Sequence, residues 1–500
     1  MAMDLPQALT LIVQCLESPR DVVAFLYALP PAALDAPLAA ILELLVRPSM
    51  VAHMWPKLNL VDLASIDTPL ARVALPVFTS VRSSELEYFT CLATAPPPDD
   101  DEKYEEKYAV SRFIEFASQW PLKMTFVDAT WRRKVGSAVF CSLLHRCTRL
   151  RSIELDGGEN AGDVLAAVTT PAHRVRSLCV DMTTAPAAGD WSSLLKPWLT
   201  SGHARHITFL SGRHLGDGDA AALSLALATT SSLRGLAIWG ADDLVRALLV
   251  LNRPLHHFTE IQVETSSVKF LGFFLTRLDF TKLTSLKLDC STDHADTLRL
   301  VRHMPLLRHL ALTNGCVGFA FADASTWPDL ESIAFERVSL ASTAQIALQA
   351  YFDRVQNLRE VSFEGPESMA ATSFFDWSYA LTQLIANGLT VAKLMDTDLD
   401  DTCAALLALA LREGCNASSP LHLDLTENDI GIKGVGALVK ALATCLYVRI
   451  EIVCKSFDLL APYKAEIEAF AAFHGVATTI TNELYTLCSP STHFQYYDAM

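Results

Sequence analysis

The segment from Pro420 to Cys445 reads PLHLDLTENDIGIKGVGALVKALATC. Leu421, Leu423 and Leu425 alternate, as residues on one face of a strand do. Asn428 and Ile430 follow, and Ala437, Leu438 and Leu442 then recur at helical spacing. The strand phrase, Leu-x-x-Leu-x-Leu, returns about every 27 residues from roughly residue 120 to 452. Twelve copies align on a central apolar residue: Ile153, Leu178, Ile207, Leu236, Ile261, Leu286, Leu310, Ile333, Val361, Leu394, Leu423 and Ile450. The shortest step runs from Leu310 to Ile333 and the longest from Val361 to Leu394. Self-similarity at this period implies a solenoid, because no single repeat can bury its own apolar face.

Three columns carry the pattern: the central residue, the one three before it and the one two after it. Of these 36 slots only Asp396 is charged. The central side chain and the one two places later point to one side of a short strand. Parallel strands need a crossover, usually a helix, so the expected fold is an α/β solenoid with its parallel sheet on the concave face. A weaker thirteenth copy is expected at Met124 and Phe126, one repeat length before Ile153. The copy at Leu394 is anomalous: the step into it is the longest, and Asp396 fills a slot that should be buried. Either the register shifts there to use Leu399, or the solenoid has a seam.

Pro420–Cys445 closely resembles a leucine-rich repeat of the ribonuclease-inhibitor type, whose Asn side chain satisfies backbone groups at the turn out of the strand. Asn314 stands one place early after Leu312, and most other copies lack the Asn, so the repeats are irregular. The resemblance covers about two thirds of the chain.

Composition narrows the function classes. The chain of 500 residues is longer than one ordinary core; it is 51% apolar and only 19% charged, hence globular. Its net charge of −16 argues against nucleic acid and against anionic membrane surfaces. The twelve cysteines include no CxxC pair and read as small buried hydrophobes. Asp4 stands where a signal peptide would carry Lys or Arg, and the most apolar stretch, Leu38 to Val46, is too short to span a bilayer. The expected location is intracellular, cytoplasmic or nuclear.

The head of the chain lacks the repeat. Leu5-Pro6, Leu9, Ile12 and Leu16 form one apolar helical face, and Ser18-Pro19-Arg20-Asp21 opens a second helix carrying Val22, Val23, Phe25 and Leu26. Ser18 suits the cap, Pro19 the first turn and Asp21 the positive end of the dipole. The pattern, with a late Trp55 and with Ala8 in place of an acidic residue, resembles the start of an F-box. That family docks onto the Skp-type linker of cullin–RING ubiquitin ligases. The resemblance implies that Leu5, Pro6, Leu9, Ile12, Leu16, Val22 and Phe25 bind the linker. A helical cap shielding the first repeat is the alternative, since every solenoid needs one. The expected organisation is an all-α F-box-like head over 1–65 and a connecting region over 66–119. The solenoid follows over 120–453, and a cap over 454–500. Within the connecting region, Pro96-Pro97-Pro98 and the acidic run from Asp99 to Glu106 read as an exposed linker.

On each repeat strand the −1, +1 and +3 positions face away from the core. Column +3 includes Asp156, Asp181, Trp239, Glu264, Asp289, Glu336 and Glu364. Like charges on adjacent strands cost stability. One reading is a recognition stripe for a basic partner, with Trp239 as an anchor. The other is a solvated face neutralised by a row of arginines at −2: Arg151, Arg176, Arg205, Arg234, Arg308 and Arg359.

Catalytic signals are weak. No G-x-S-x-G elbow accompanies the Ser, His and Asp of the strand face, and Gly431, Gly434 and Gly436 lack the Lys-Ser/Thr of a phosphate loop. His256-His257 and Asp293-His294-Ala295-Asp296 lack a third strong metal partner. No catalytic residue, metal or cofactor is expected. The expected protein is a non-catalytic interaction protein. Its expected partners are a Skp-type linker and an unknown target, a basic one if the acidic column is a recognition stripe. The alternative is a repeat scaffold unrelated to ubiquitination.

Overall fold

The computed structural model describes residues 5–16, 18–46, 55–61, 63, 67–92, 102–156, 160–183, 190–210, 215–264, 268–290, 300–301, 303–317, 327–365, 374–414, 420–453, 463–481 and 484–490. The chain divides into two compact units, one reaching to Leu233 and the other beginning at Arg234.

The first unit begins with helices Leu5–Cys15, Pro19–Tyr27 and Ala36–Val46. Leu9, Val13, Val22, Leu26, Ile41 and Leu44 on these helices are buried. Burying each such side chain contributes about 1.5–3 kcal/mol. The Asp35 carboxylate caps the third helix by accepting from the Leu38 N–H at 3.0 Å. These helices are tied to the next part of the chain. Gln14 Nε2 donates to the carbonyls of Pro76 (3.1 Å) and Val77 (3.0 Å). The Trp55 indole N–H donates to the Leu16 carbonyl at 2.9 Å. Strands β1 (Lys57–Asn59) and β2 (Ser80–Arg82) pair in parallel.

Helix Glu102–Gln119 begins inside the stretch expected to be an exposed linker. It folds because Phe113 and Phe116 are buried against Phe89, and Phe113 also meets Trp131 edge-on at 5.1 Å. The acidic start of the helix masks that aromatic half in composition. Pro96 to Asp101 lie outside the described residues.

Then come β3 (Phe126–Asp128), β4 (Ser152–Asp156), β5 (Ser177–Asp181) and β6 (His206–Leu210), paired in parallel in chain order. Helices connect them, as parallel pairing requires. The first repeat differs from expectation. Val127, not Met124, stands opposite Ile153, and Phe126 is opposite Ser152 on the outward face. Met124 is instead the buried residue at −3.

The second unit carries β7 (Gly235–Trp239), β8 (Glu260–Glu264), β9 (Ser285–Cys290), β10 (His309–Val317), β11 (Ser332–Leu340), β12 (Glu360–Glu364), β13 (Val391–Met395), β14 (Leu421–Asp424) and β15 (Val448–Ile452), all parallel. Two antiparallel strands close the end. β16 (Ala477–Thr481) pairs with β17 (Leu484–Cys488), and β17 pairs with β15. Helix Lys464–Phe473 precedes them. Covering the last parallel edge removes a template for pairing with other chains.

The central and second-following side chains of the strands are buried throughout, so each unit stacks strand–helix repeats around a continuous apolar layer. The anomaly at Asp396 resolves without a seam. Ala392, not Leu394, stands opposite both Val361 and Leu423, so the steps on its two sides become equal. Leu394 takes the buried place at +2, and Asp396 lies just past the strand with φ +53°. Its N–H donates to the Thr426 carbonyl at 3.1 Å.

Asn428 organises the turns out of β13 and β14. Its Oδ1 accepts from the N–H groups of Thr397 (3.0 Å) and Leu399 (3.1 Å). Its Nδ2 donates to the carbonyls of Leu394 and Leu425. Thr397 occupies the equivalent place one repeat earlier and bonds the Leu394 carbonyl through its hydroxyl at 3.2 Å. The neighbouring glycines serve packing. The Asp401 carboxylate accepts from Gly431 N–H (2.8 Å) and Gly434 N–H (2.7 Å), filling the N-terminus of helix Ile432–Leu442. A Cβ on Gly434 would stand 2.7 Å from that carboxylate and 2.9 Å from Ala404 Cβ.

Candidate functional site

Alternation along each strand leaves the −1, +1 and +3 side chains on the face opposite the helices. The seven acidic and aromatic residues expected to line it fall into different environments. Asp156 is buried and held by two arginines of helix Trp131–Val135: Arg132 Nη2 at 2.5 Å and Arg133 Nη2 at 2.7 Å. Asp181 accepts from the Thr183 N–H at 2.8 Å. Asp289 is buried and accepts from Asn314 Nδ2 at 3.3 Å. Glu336 takes Lys287 Nζ at both oxygens, 2.7 and 2.8 Å, across the intervening strand β10. Glu364 is half-buried, opposite Glu336. Only Trp239, 38% exposed, and Glu264 are open to solvent, and they are register partners on β7 and β8.

The arginine row does not neutralise this column. Arg205 Nη1 donates to the Ser232 carbonyl (2.8 Å) and Arg359 Nη1 to the Gly388 carbonyl (2.7 Å). Arg151 and Arg234 reach the carbonyls of Arg174 (3.4 Å) and His257 (3.2 Å) in the same way. Each of these arginines caps the turn that leads into the next strand. Arg308 pairs with an acid, but with Glu331, before β11. The row sits at the start of the strands and column +3 at their ends, too far apart for ion pairs. Cations that do meet strand-face acids include Arg132, Arg133, Lys287, Lys393 (to Glu360, 2.9 Å) and Arg449 (to Glu451). Arg132 and Arg133 lie on a crossover helix, where strand columns could not reveal them.

Burial and crowding govern the electrostatics at the acidic end of the first unit. Burial pushes the Asp128 carboxyl up, with the Asp156 charge adding to it, against hydrogen bonds from Thr130. Glu154 is pushed up by burial and then by Asp128 and Asp181. The Cys179 thiol on β5, opposite Glu154, is pushed up to about 12 by burial and then by Glu154, Asp181 and Asp128, which disfavours its thiolate. In the second unit, Glu451 is held down to about 2, chiefly by its hydrogen bond from His422 and with help from Arg449.

A shallow cavity of about 390 Å³ opens at the starts of β8, β9 and β10, lined by Glu260, Ser285, Arg308, His309 and Asp329 among others. Among the described residues, no cluster of three or more His, Cys, Asp or Glu is placed to hold a metal ion. None of the described helices is long and apolar enough to cross a membrane.

The head residues expected to bind a linker also divide. Leu9 and Val22 are buried. Pro6, Leu16 and Phe25 are half-buried, while Leu5 (60%) and Ile12 (45%) are exposed, as is the neighbouring Leu11. Helix Leu5–Cys15 therefore carries exposed apolar side chains as well as buried ones.

No family model matches the chain, and no curated protein matches it. Among solved structures, the crystal structure of a Rad7 and Elc1 complex in yeast is similar with a TM-score of 0.38 and 14% sequence identity. The match covers 68% of this chain and 82% of that chain. A likeness of that size carries neither fold nor function, and the fold rests on strand register and burial.

Proposed function

We propose that this protein is a non-catalytic interaction protein, the substrate-recognition adaptor of a cullin–RING ubiquitin ligase. In this reading the head docks a Skp-type linker and the strand face of the repeats engages the target. The observation that carries it is the outer face of helix Leu5–Cys15. Leu5, Leu11 and Ile12 stand in solvent on a helix whose other side is already packed. Several large apolar side chains left in solvent on one short helix mark an interaction surface, so a partner is expected there. The F-box resemblance names that partner's chemistry.

A second reading has its own observation. Leu9 and Val22 are unavailable to any partner, and Gln14 and Leu16 bond to residues beyond the head's first helices. Those features favour a cap that only shields the first repeats, leaving a scaffold unrelated to ubiquitination.

Capture of purified Skp-type linker by the full chain separates the two. The adaptor reading expects capture, and expects Leu5→Asp with Ile12→Asp to abolish it with the far-ultraviolet circular dichroism unchanged. No capture, where a known F-box protein captures the linker, leaves the scaffold reading.

A further inference from the structure

Three segments leading into β3, β4 and β5, residues 121–126, 145–153 and 170–178, hold Lys123, Arg146, Arg149, Arg151, Arg174 and Arg176. They hold no Asp or Glu, in a chain of net charge −16. Two Arg-x-Arg phrases, Arg149-Leu150-Arg151 and Arg174-Val175-Arg176, are set side by side by the parallel pairing of β4 with β5. Ser152 is opposite Ser177, so Arg151 lies one strand spacing, about 4.8 Å, from Arg176. The buried Leu150 and Val175 point inward, which turns the arginines on either side of each outward. Arg149, Arg174 and Arg176 are exposed and Arg151 is half-buried.

Among the described residues the cluster has no acidic partner. Arg149 reaches only the Thr79 carbonyl (3.4 Å) and Arg151 only the carbonyls of Leu150 and Arg174. Among the described residues no carboxylate is within ion-pair distance of any of the four. Burial and then Arg176, Arg149 and Arg174 push the Arg151 guanidinium below its ordinary value. Lys123, beside the cluster, is pushed down to about 8 by burial and by Arg149. The acids carried by β3, β4 and β5 themselves, Asp128, Glu154, Asp156 and Asp181, lie from the middle of those strands to their far ends.

Two features select the ligand. Adjacent guanidinium forks match the oxygens of a phosphate, and four positive charges gathered at one edge suit a compact dianion better than a singly charged carboxylate. An extended polyanion laid along these strands would meet the acidic ends, which disfavours nucleic acid. The edge is open and not an enclosed pocket, so it would bury little of a small free anion, whereas a peptide continues beyond it.

We propose that Arg149, Arg151, Arg174 and Arg176 form a phosphate-binding site that takes the phosphate monoester of a phosphorylated protein segment. The site goes beyond the adaptor reading and needs nothing from the head.

The test is fluorescence anisotropy of the full chain, at near-physiological salt, with a labelled peptide library bearing one fixed central phosphoserine. The matching serine library, tripolyphosphate and a single-stranded oligonucleotide serve as comparisons. The phosphoserine library should bind and the serine library should not. Arg176→Gln should weaken binding about tenfold, and combination with Arg151→Gln about a hundredfold. The Arg176 side chain has no partner among the described residues, so its loss leaves the fold intact and the single variant stays interpretable. Equal binding of the two libraries, or wild-type binding by the double variant, overturns the proposal. So does an oligonucleotide that outcompetes the phosphopeptides. Binding of tripolyphosphate without the phosphoserine library overturns the peptide as the source.

Discussion

At the ends of the first unit's strands, a carboxylate buried in the sheet is met by two guanidinium groups: Asp156 by Arg132 and Arg133. At the starts of those strands, Arg149, Arg151, Arg174 and Arg176 are met by carbonyls or by nothing described. The same strands thus carry two charged ends treated in opposite ways. A charge that serves the fold is paired, because leaving it unpaired costs several kcal/mol. An exposed cluster with no counter-charge among the described residues costs the fold little, because water solvates it, and leaves its donors open to an anion from outside. In the acidic column, Asp156 and Glu336 are of the first kind, while Glu264 lies open to solvent.

Three measurements test that contrast. The largest effect belongs to Asp156→Ala. It leaves Arg132, whose side chain is 3% exposed, without its carboxylate, and should cost about 3–5 kcal/mol. Native-state hydrogen exchange across β3 to β5 reports it, and a cost below about 1 kcal/mol would mean the pair is no more than a surface contact.

Next comes Glu451, the corresponding acid near the end of the second unit. Its folded pKa is depressed to about 2, so its contribution is present in full above the ordinary carboxylate range. That contribution is lost as pH falls toward about 2. Glu451→Gln should flatten the acid unfolding profile between those limits. An unchanged profile would show that the contacts with His422 and Arg449 do not hold in solution.

The smallest effect is expected at the basic edge. Without phosphate, Arg176→Gln should change stability by less than about 0.5 kcal/mol, in the stabilising direction, and added salt should shrink the difference. Clear destabilisation would place Arg176 in the structural class with Arg132.

Much of the fold is legible in the sequence because burial repeats. Eleven of the twelve central residues stand where their spacing puts them, and the twelfth fails for a physical reason. Side chains alternate along a strand with period two, so a slip by one full period keeps every apolar residue on its own face. Leu394 at the centre and Leu394 at +2 are therefore equally apolar patterns. The small Ala392 conceals the true centre until its hydrogen-bonded neighbours show it. The same limit hides the first repeat, where Met124 is buried but belongs three places before Val127.

The candidate site is legible as residue types and not as partnerships. Column +3 is acidic in the sequence and in the structure alike. That Asp156 is sealed by Arg132 while Glu264 lies open beside Trp239 depends on a crossover helix whose position no strand column encodes. The arginine row is equally visible, but its partners are carbonyls of the following turn and not the acids of column +3. Column −2 and column +3 are close in sequence and lie at opposite ends of a strand. The two Arg-x-Arg phrases stand in plain view, and only parallel pairing brings them together.

The repeat, the parallel strands and the buried columns are written in the sequence, because apolar periodicity is a local property that every copy restates. The register at Ala392, the partner of each charge and the absence of one around Arg176 among the described residues emerge only once the chain has folded. They depend on neighbours about 25 residues or more away along the chain, brought together when the strands stack.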